Sequence, residues 1–151
     1  MKTDQLNRSP LHLLHRAGQS AGNIFRAERT GNLTPRQLVV LMTVAQSEGL
    51  SQTGIVDSTG IDRSTVADVV QRLVKRKFLQ RRRTREDARA YAVKLADEGW
   101  RVLRTAEPLA KRVDQRVLDA LPTARREQFI AALLAIVDTL ERMTAQGKPR
   151  A

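Results

Sequence analysis

Residues 60–95 read GIDRSTVADVVQRLVKRKFLQRRRTREDARAYAVKL, and their order decides the fold of this chain. The stretch opens with an amphipathic helix and enters a strand at Phe78-Leu79. It then turns at a charged tip, residues 84–90, and residues 91–95 alternate as a half-buried returning strand does. This order predicts the second helix of a helix-turn-helix followed by a charged β-hairpin.

The helix of this stretch has an apolar and a polar face. It runs from Arg63 to about Lys77 with Asp62 as N-cap, and a shorter helix, residues 51–58, precedes it across a turn that contains Gly60. The apolar face consists of Val66, Val69, Val70, Leu73 and Val74. Two helices joined by a three-residue glycine turn are typical of a helix-turn-helix, whose second helix enters the major groove of DNA.

The polar face of this second helix offers groups that read base edges. Arg63 is placed to donate two hydrogen bonds to a guanine, and Gln71 to pair with an adenine. Ser64-Thr65 bond either a base or a phosphate, while Asp68 accepts from a cytosine amino group or orients Arg72. The alternative is an ordinary solvated helix face.

The hairpin contains most of a dense cationic run. Nine Lys and Arg residues in residues 72–91 stand against two acidic ones, Glu86 and Asp87. We expect the strand arginines to meet phosphates, and the two acids to brace Arg85 and Arg89 so that these reach a minor groove. The predicted DNA contacts are Arg63, Ser64, Thr65, Asp68, Gln71, Arg72, Lys75, Arg81, Arg83, Arg85, Asp87 and Arg89.

Composition narrows the classes of protein. The formal net charge is +11, and there is no cysteine, which excludes disulfides and thiolate metal sites. No apolar run approaches the roughly 18 residues of a membrane span, and the N-terminus is too polar for a secretion signal. We therefore expect a cytoplasmic protein without a membrane partner, cofactor or metal. A basic surface can also keep a protein soluble or bind a membrane surface. Positive charge concentrated on a hairpin instead favours double-stranded DNA as the partner.

Helices are predicted on both sides of this unit. One runs from about Leu11 to Glu28, and Thr34 with Gln37 forms a capping box for the next. After the hairpin, a helix from Asp97 or Glu98 to about Ala120 is expected to kink at Pro108, and Thr123 to cap a last helix. Their apolar side chains exceed what one small domain covers, which predicts a homodimer; the alternative is a monomer with an exposed apolar helix pair.

The fold class follows: mainly α with a small β-hairpin wing, a winged helix-turn-helix domain flanked by dimerisation helices. Residues 1–32 form the N-terminal dimerisation helix, and residues 33–99 the DNA-binding domain. Residues 100–145 form the C-terminal dimerisation helices, and residues 146–151 a disordered tail.

The chain resembles the multiple antibiotic resistance regulator (MarR) family over nearly its whole length. The matching segments are LTPRQLVVL, TGIDRSTVADVVQRLVKRKFLQR and REDARAYAVKLADEG, in that order. Two departures stand out. Many members have a second arginine at the wing tip where this chain has Ala88. Many also have LTxxG after the wing, where this chain has Leu95-Ala96-Asp97-Glu98-Gly99, which loses the threonine N-cap and leaves Asp97 to cap instead.

The resemblance implies a two-fold dimer on a palindromic operator, with recognition helices about one DNA turn apart. It also implies a small aromatic or phenolic anion, or its thioester, bound between the dimer helices and the DNA-binding lobe. The ligand-binding candidates are His12, His15, Arg16, Gln19, Phe25, Met42 and Trp100. The histidines alternatively cap or pack at the base of the dimer.

The sequence thus predicts a ligand-responsive, dimeric repressor that its effector releases from DNA. The alternative is an architectural protein of the nucleoid type that binds any DNA. An enzyme is disfavoured, because there are only two histidines, no cysteine, and no HExxH, GxSxG or phosphate-loop motif. Winged helices also bind RNA or other proteins.

Overall fold

Helices form nearly all regular structure in a computed structural model that describes residues 2–28, 31–84 and 91–146. Contacts divide the chain into two compact units, Met1–Val113 and Asp114–Ala151. The elements in chain order are α1 Lys2–Asn7, α2 Pro10–Ala27, α3 Pro35–Gln46, α4 Gln52–Thr59, α5 Arg63–Lys75, β1 Leu79–Arg83, β2 Tyr91–Leu95, α6 Asp97–Asp119, a 3-10 turn Thr123–Arg125 and α7 Arg126–Gln146. The predicted fold class, mainly α with a β-hairpin wing, is confirmed.

Local capping fixes where the early helices begin. The Ser9 hydroxyl accepts from the backbone N–H of His12, and Pro10 occupies the first position of α2. At α3 the predicted capping box is confirmed, because the side chain of Thr34 accepts from the Gln37 N–H while Gln37 Oε1 accepts from the Thr34 N–H. The short helix α1 was not predicted, since its six residues contain a single large apolar side chain.

The core of the first unit is aliphatic and centred on α3, α5 and the hairpin. The predicted apolar face of α5 is confirmed: Val66, Val70 and Leu73 have no exposed surface, and Val69 is buried. Val74, the fifth residue of this face, packs against the core with partial exposure. Burying side chains of this size contributes roughly 1.5–3 kcal/mol each. The other fully buried large side chains of the core are Leu33, Val40, Leu41, Val44, Ile55, Leu79 and Val93.

The wing is anchored on both edges of its returning strand. β1 and β2 pair antiparallel, with Leu79 opposite Leu95 and Arg83 opposite Tyr91. On its other edge, Val93 donates its N–H to the Leu50 carbonyl at 2.8 Å and accepts from the Gly49 N–H at 3.1 Å. This bridge, which the sequence did not predict, ties the wing to the segment that enters α4.

The end of α5 and the start of α6 meet at one residue, Phe78. Lys77 adopts a left-handed φ of 62°, and the Phe78 N–H reaches back to the Leu73 carbonyl, as in a Schellman cap. The Phe78 carbonyl then accepts from the Ala96 N–H at 3.0 Å. A Cβ built on Gly99 would lie 2.1 Å from that carbonyl oxygen, so the close approach of α6 requires glycine here.

Two predicted caps are wrong. Asp97 is the first residue of α6 and does not precede it, and the Trp100 N–H bonds to the Ala96 carbonyl. Asp97 still places a negative charge in the first turn, where the helix dipole favours it. Thr123 lies in the 3-10 turn, which has no side-chain cap, so it does not start the last helix. Pro108 lies inside α6, which continues through it as a single helix.

In the second unit, Arg126 organises the turn before α7. Its Nε donates to the Leu121 carbonyl at 3.2 Å, and its Nη2 forms an ion pair with Asp119 at 3.2 Å. No residue of α7 is buried within the chain. Its exposed large apolar side chains are Ile130, Leu134, Ile136, Val137, Leu140 and Met143.

We predict that Gly99→Ala lowers the free energy of unfolding by about 1–3 kcal/mol, because the added methyl group meets the Phe78 carbonyl. Gly18→Ala is the matched control. A Cβ at Gly18 in α2 meets nothing within 4 Å, so alanine there should stabilise by roughly 0.5–1 kcal/mol. Urea unfolding of both variants measures the two values, and stabilisation by both would contradict the close contact at Gly99.

Candidate nucleic-acid interface

The turn between α4 and α5 is built by short-range hydrogen bonds. Ser51 caps α4 by accepting from the Gly54 N–H at 3.0 Å. Gly60 ends it with a left-handed φ of 68°, a conformation that glycine adopts without strain. The Thr59 hydroxyl accepts from the Ile61 N–H at 3.2 Å, so the turn enters α5 in a fixed conformation.

The polar face of α5 is presented to solvent because its apolar face is fully used in the core. Thr65 is half-buried. The exposed residues of this face are Arg63, Ser64, Asp68, Gln71, Arg72 and Lys75. The structure therefore displays together all seven side chains of α5 that the sequence predicted as DNA contacts.

The carboxylate of Asp62 organises the first turn of α5. Oδ1 accepts from the Thr65 N–H at 2.9 Å and from the Ser64 hydroxyl at 2.7 Å, while Oδ2 accepts from the Thr65 hydroxyl at 2.6 Å. These bonds, led by that of the Thr65 hydroxyl, hold the pKa of Asp62 far below its usual value. The carboxylate therefore stays ionised and keeps accepting.

Two arginines of α5 have partners on the protein surface. Arg63 Nη1 donates to the Thr53 hydroxyl on α4 at 3.2 Å, and most of its donors remain available. Arg72 Nε donates to Asp68 Oδ2 at 2.9 Å, one turn apart on the helix. This pair is exposed and contributes little stability, but it orients Arg72, one of the two roles predicted for Asp68.

The hairpin distributes its arginines over two faces. The register places Arg81 opposite Val93 and Arg83 opposite Tyr91, on the face that leads into the core. The Arg83 guanidinium lies 6.0 Å from the centre of the Tyr91 ring. Both arginines are exposed and lie beyond the buried pair Leu79 and Leu95.

Arg82 and Lys94 belong to the opposite face of the hairpin. They line a shallow depression of about 250 Å³ together with the Glu48-Gly49 turn. The sequence analysis expected Arg82, as one of the strand arginines, to meet phosphates, and strand alternation assigns it to the second face. Lys94 was not among the predicted DNA contacts. The predicted wing-tip contacts Arg85, Asp87 and Arg89 lie outside the described residues.

Arg76 belongs to the cationic run, but its side chain forms contacts within the protein. Its guanidinium donates to the carbonyls of Gly31 and Asn32, at 2.6 and 3.2 Å, and lies 4.5 Å from the centre of the Phe78 ring. It thereby fixes the loop before α3 against the end of α5. Sequence separations of 44 and 45 residues hide this role from any local pattern.

The ligand-binding candidates fall into two groups. Phe25 is buried in the core, and Met42 and Trp100 pack against that core with partial exposure. The polar candidates lie on α2 at spacings that share one helix face. Of these, His12 is half-buried, and His15, Arg16 and Gln19 are exposed.

Two features are absent from the part of the chain that the structure describes. Within residues 2–28, 31–84 and 91–146, no group of His, Asp and Glu side chains is arranged to hold a metal ion. In the same residues, no helix has the length and apolar character needed to cross a membrane.

A helix-turn-helix with an attached hairpin defines the class of winged helix-turn-helix proteins, and comparison with known proteins gives the family. The sequence profile of the MarR family matches residues 32–90. The PcaV transcriptional regulator of Streptomyces coelicolor, solved with its natural ligand, is 31% identical with a TM-score of 0.82, covering 88% of this chain and 94% of its own.

Two further solved structures agree. Bordetella bronchiseptica BpsR, whose DNA binding is regulated by 6-hydroxynicotinic acid, is 30% identical (TM-score 0.80, 87% of this chain, 94% of its own). The transcriptional repressor CouR, bound to a 23-mer DNA duplex, is 27% identical (TM-score 0.78, 91% and 98%). The chain belongs to the MarR family of DNA-binding transcriptional regulators and is not an enzyme.

We predict that Arg76→Ala lowers the free energy of unfolding by about 1–2 kcal/mol, since it removes two charge-assisted hydrogen bonds and a cation–π contact. Lys75→Ala, one residue earlier and exposed, should change stability by less than about 0.5 kcal/mol. Thermal unfolding of the pair measures the difference. Equal effects would show that Arg76 is a surface charge like its neighbour.

Asp62 predicts a pH dependence of stability. Its folded pKa is lowered, so below about pH 4 the unfolded chain binds more protons than the folded one, and the contribution of this carboxylate is lost as the pH falls. Asp62→Asn should therefore lose less stability than the wild type between about pH 6 and pH 3. Asp57→Asn removes an exposed carboxylate on α4 and controls for net charge. If the urea midpoints of wild type and Asp62→Asn fall equally as the pH is lowered, the lowered pKa of Asp62 is contradicted.

Proposed function

We propose that this protein is a homodimeric repressor that binds an operator of two inverted half-sites and is released by a small aromatic or phenolic anion, or its thioester. The observation that carries the proposal is the exposed polar face of α5 beside the arginines of β1, both seated on one aliphatic core. A helix supplies base contacts, and a neighbouring cationic hairpin supplies phosphate contacts.

The proposed division of labour follows from donor geometry. Arg63, at the first position of α5, has guanidinium donors left for a guanine edge. Gln71 lies two turns further along the same face and has the amide pair that suits adenine. Lys75, Arg81 and Arg83 offer cations without base-specific geometry, which suits phosphates. The relative CouR, solved on a DNA duplex, supports this use of the fold.

Homodimerisation is proposed from the apolar surface that a single chain leaves uncovered. On α7, six large apolar side chains are exposed, and on α2 Leu11 is 81% exposed and Leu14 43%. Exposed large apolar side chains in such number on a helix mark an interface with another protein. A second copy with two-fold symmetry would present two α5 helices, and hence two half-sites about one DNA turn apart.

A selection from random DNA tests the dimeric operator. We expect the enriched sequences to contain inverted repeats spaced by about 10 bp. Light scattering of the protein in solution should give twice the chain mass of 16.9 kDa. Leu134→Glu, at an exposed position of α7, should give a monomer. Its affinity for the full site should fall at least about 100-fold, because the two DNA-binding domains are no longer linked to each other. Gln128→Glu, on the same helix, is the control. A monomeric wild type or a single half-site would contradict the dimer.

Effector binding is proposed from the MarR relatives and from the polar face of α2. BpsR responds to 6-hydroxynicotinic acid, an aromatic carboxylic acid. The exposed Arg16 on α2 offers a cation for such a group, with His15 and Gln19 on the same helix face. A ligand acts only through unequal affinity for the DNA-competent and incompetent shapes of the dimer.

Titration of the operator complex tests the effector class. We expect 6-hydroxynicotinic or 4-hydroxybenzoic acid to weaken DNA binding about 5- to 150-fold, and cyclohexanecarboxylic acid to do less. Arg16→Gln should reduce this response, whereas Arg26→Gln, on another face of α2, should keep it. Failure of every aromatic acid to change DNA affinity would leave a regulator without this effector class.

The formal net charge of +11 favours a second candidate, an architectural protein that binds any DNA. The affinity ratio separates the two. A regulator should prefer its selected site over unrelated DNA by roughly 10³ or more at physiological salt, and an architectural protein should show little preference.

A further inference from the structure

The first turn of α5 presents its hydroxyl groups in a defined polarity. A hydroxyl has one proton to donate and two lone pairs that accept, whereas an ionised carboxylate only accepts. Both hydroxyls lie within hydrogen-bond distance of the Asp62 carboxylate, Ser64 at 2.7 Å and Thr65 at 2.6 Å. Each must therefore donate its single proton to Asp62, and only lone pairs remain for a partner outside the protein.

This polarity selects among the groups that DNA offers. Phosphate oxygens are acceptors and match neither hydroxyl, and the negative charge of Asp62 opposes a phosphate at this position. In the major groove the acceptors are guanine O6 and N7, adenine N7 and thymine O4. The donors are the N6 amino group of adenine and the N4 amino group of cytosine. Only these amino groups complement lone pairs.

We propose that Ser64 and Thr65 are specificity-determining acceptors that read an adenine or cytosine amino group, and that Asp62 is the positioning residue that gives them this role. Ser64 is exposed at the second position of α5, in the turn that meets base edges in a helix-turn-helix. The assignment rests on the proposed function, and it removes phosphate from the partners that the sequence left open for the two hydroxyls.

Asp62→Asn provides a direct reversal of this polarity. Asparagine caps helices as well as aspartate does, so α5 is retained. Its Oδ1 keeps the bond from the Thr65 N–H, which places the amide nitrogen where Oδ2 now accepts from the Thr65 hydroxyl. That nitrogen donates, so the Thr65 hydroxyl must accept from it and turn its proton outward. The variant should then prefer a thymine or guanine, whose O4 or O6 accepts, at the position read by Thr65.

The experiment uses the site that the full-length protein selects from random DNA. Each adenine of that site is replaced in turn by purine, which lacks the N6 amino group, and each cytosine by 2-pyrimidinone, which lacks the N4 amino group. We expect wild-type affinity, measured by fluorescence anisotropy, to fall roughly three- to tenfold at one position per half-site. Removal of the hydroxyl that reads this position, by Ser64→Ala or by Thr65→Val, should abolish the dependence, because the acceptor is gone. Ser58→Ala, at an exposed serine of α4, should leave it intact.

The outcomes are separable. A selected site whose amino-deleted versions bind like the parent overturns the assignment while the regulator stands. The same dependence on the amino group in wild type, Ser64→Ala and Thr65→Val also overturns it. So does a loss of affinity in both variants that is equal on selected and unrelated DNA, or an unchanged base preference in Asp62→Asn. Recovery of no enriched sequence overturns the proposed function itself, and the assignment with it. A repeat selection with Asp62→Asn that shifts one position from adenine or cytosine to thymine or guanine supports both.

Discussion

The main chain of Phe78 is the constraint on which the DNA-binding unit depends. Its N–H closes the end of α5 on the Leu73 carbonyl, and its carbonyl receives the Ala96 N–H at the start of α6. Gly99 lets α6 approach that carbonyl without a side chain between them. The main chain of this one residue thus fixes α5, the first strand of the wing and the helix that leaves the unit. Side chains on α5 and β1 therefore keep fixed positions relative to each other, which binding to the grooves of DNA requires.

Charge in this protein is divided between the fold and the surface. Arg76 lies in the same run as Lys75, yet its guanidinium satisfies two loop carbonyls and covers an aromatic ring. The acids Asp62 and Asp68 lie on a cationic helix and direct their neighbours' hydrogen bonds. Counting positive residues therefore overstates the surface available to phosphates, and acidic residues contribute by setting which groups donate and which accept.

Local patterns could be read from the sequence because their physics is local. The capping box of Thr34, the cap of Asp62 and the pairing of β1 with β2 involve neighbours or a short hairpin, and the structure confirms each. Predictions based on one residue type at a helix start were less secure. Thr123 offers the same hydroxyl as Thr34, but the chain forms a 3-10 turn there. The bridge of Leu50 to Val93 has no signature in the sequence, since it is an isolated pairing of one residue with β2.

The sequence alone determined the helical periodicities, the turn at Gly60, the hairpin and the polar face of α5, because these depend on residues a few positions apart. Membership in the MarR family also followed from ordered motifs along the chain. Tertiary structure decided what the same residues do. The guanidinium of Arg76 donates to a loop carbonyl 44 residues away, and Arg82 and Lys94 line one depression. Tertiary structure also showed that both hydroxyls beside Asp62 already donate their hydrogen bonds to its carboxylate. Those outcomes depend on three-dimensional distance and donor direction, which spacing along the chain does not contain.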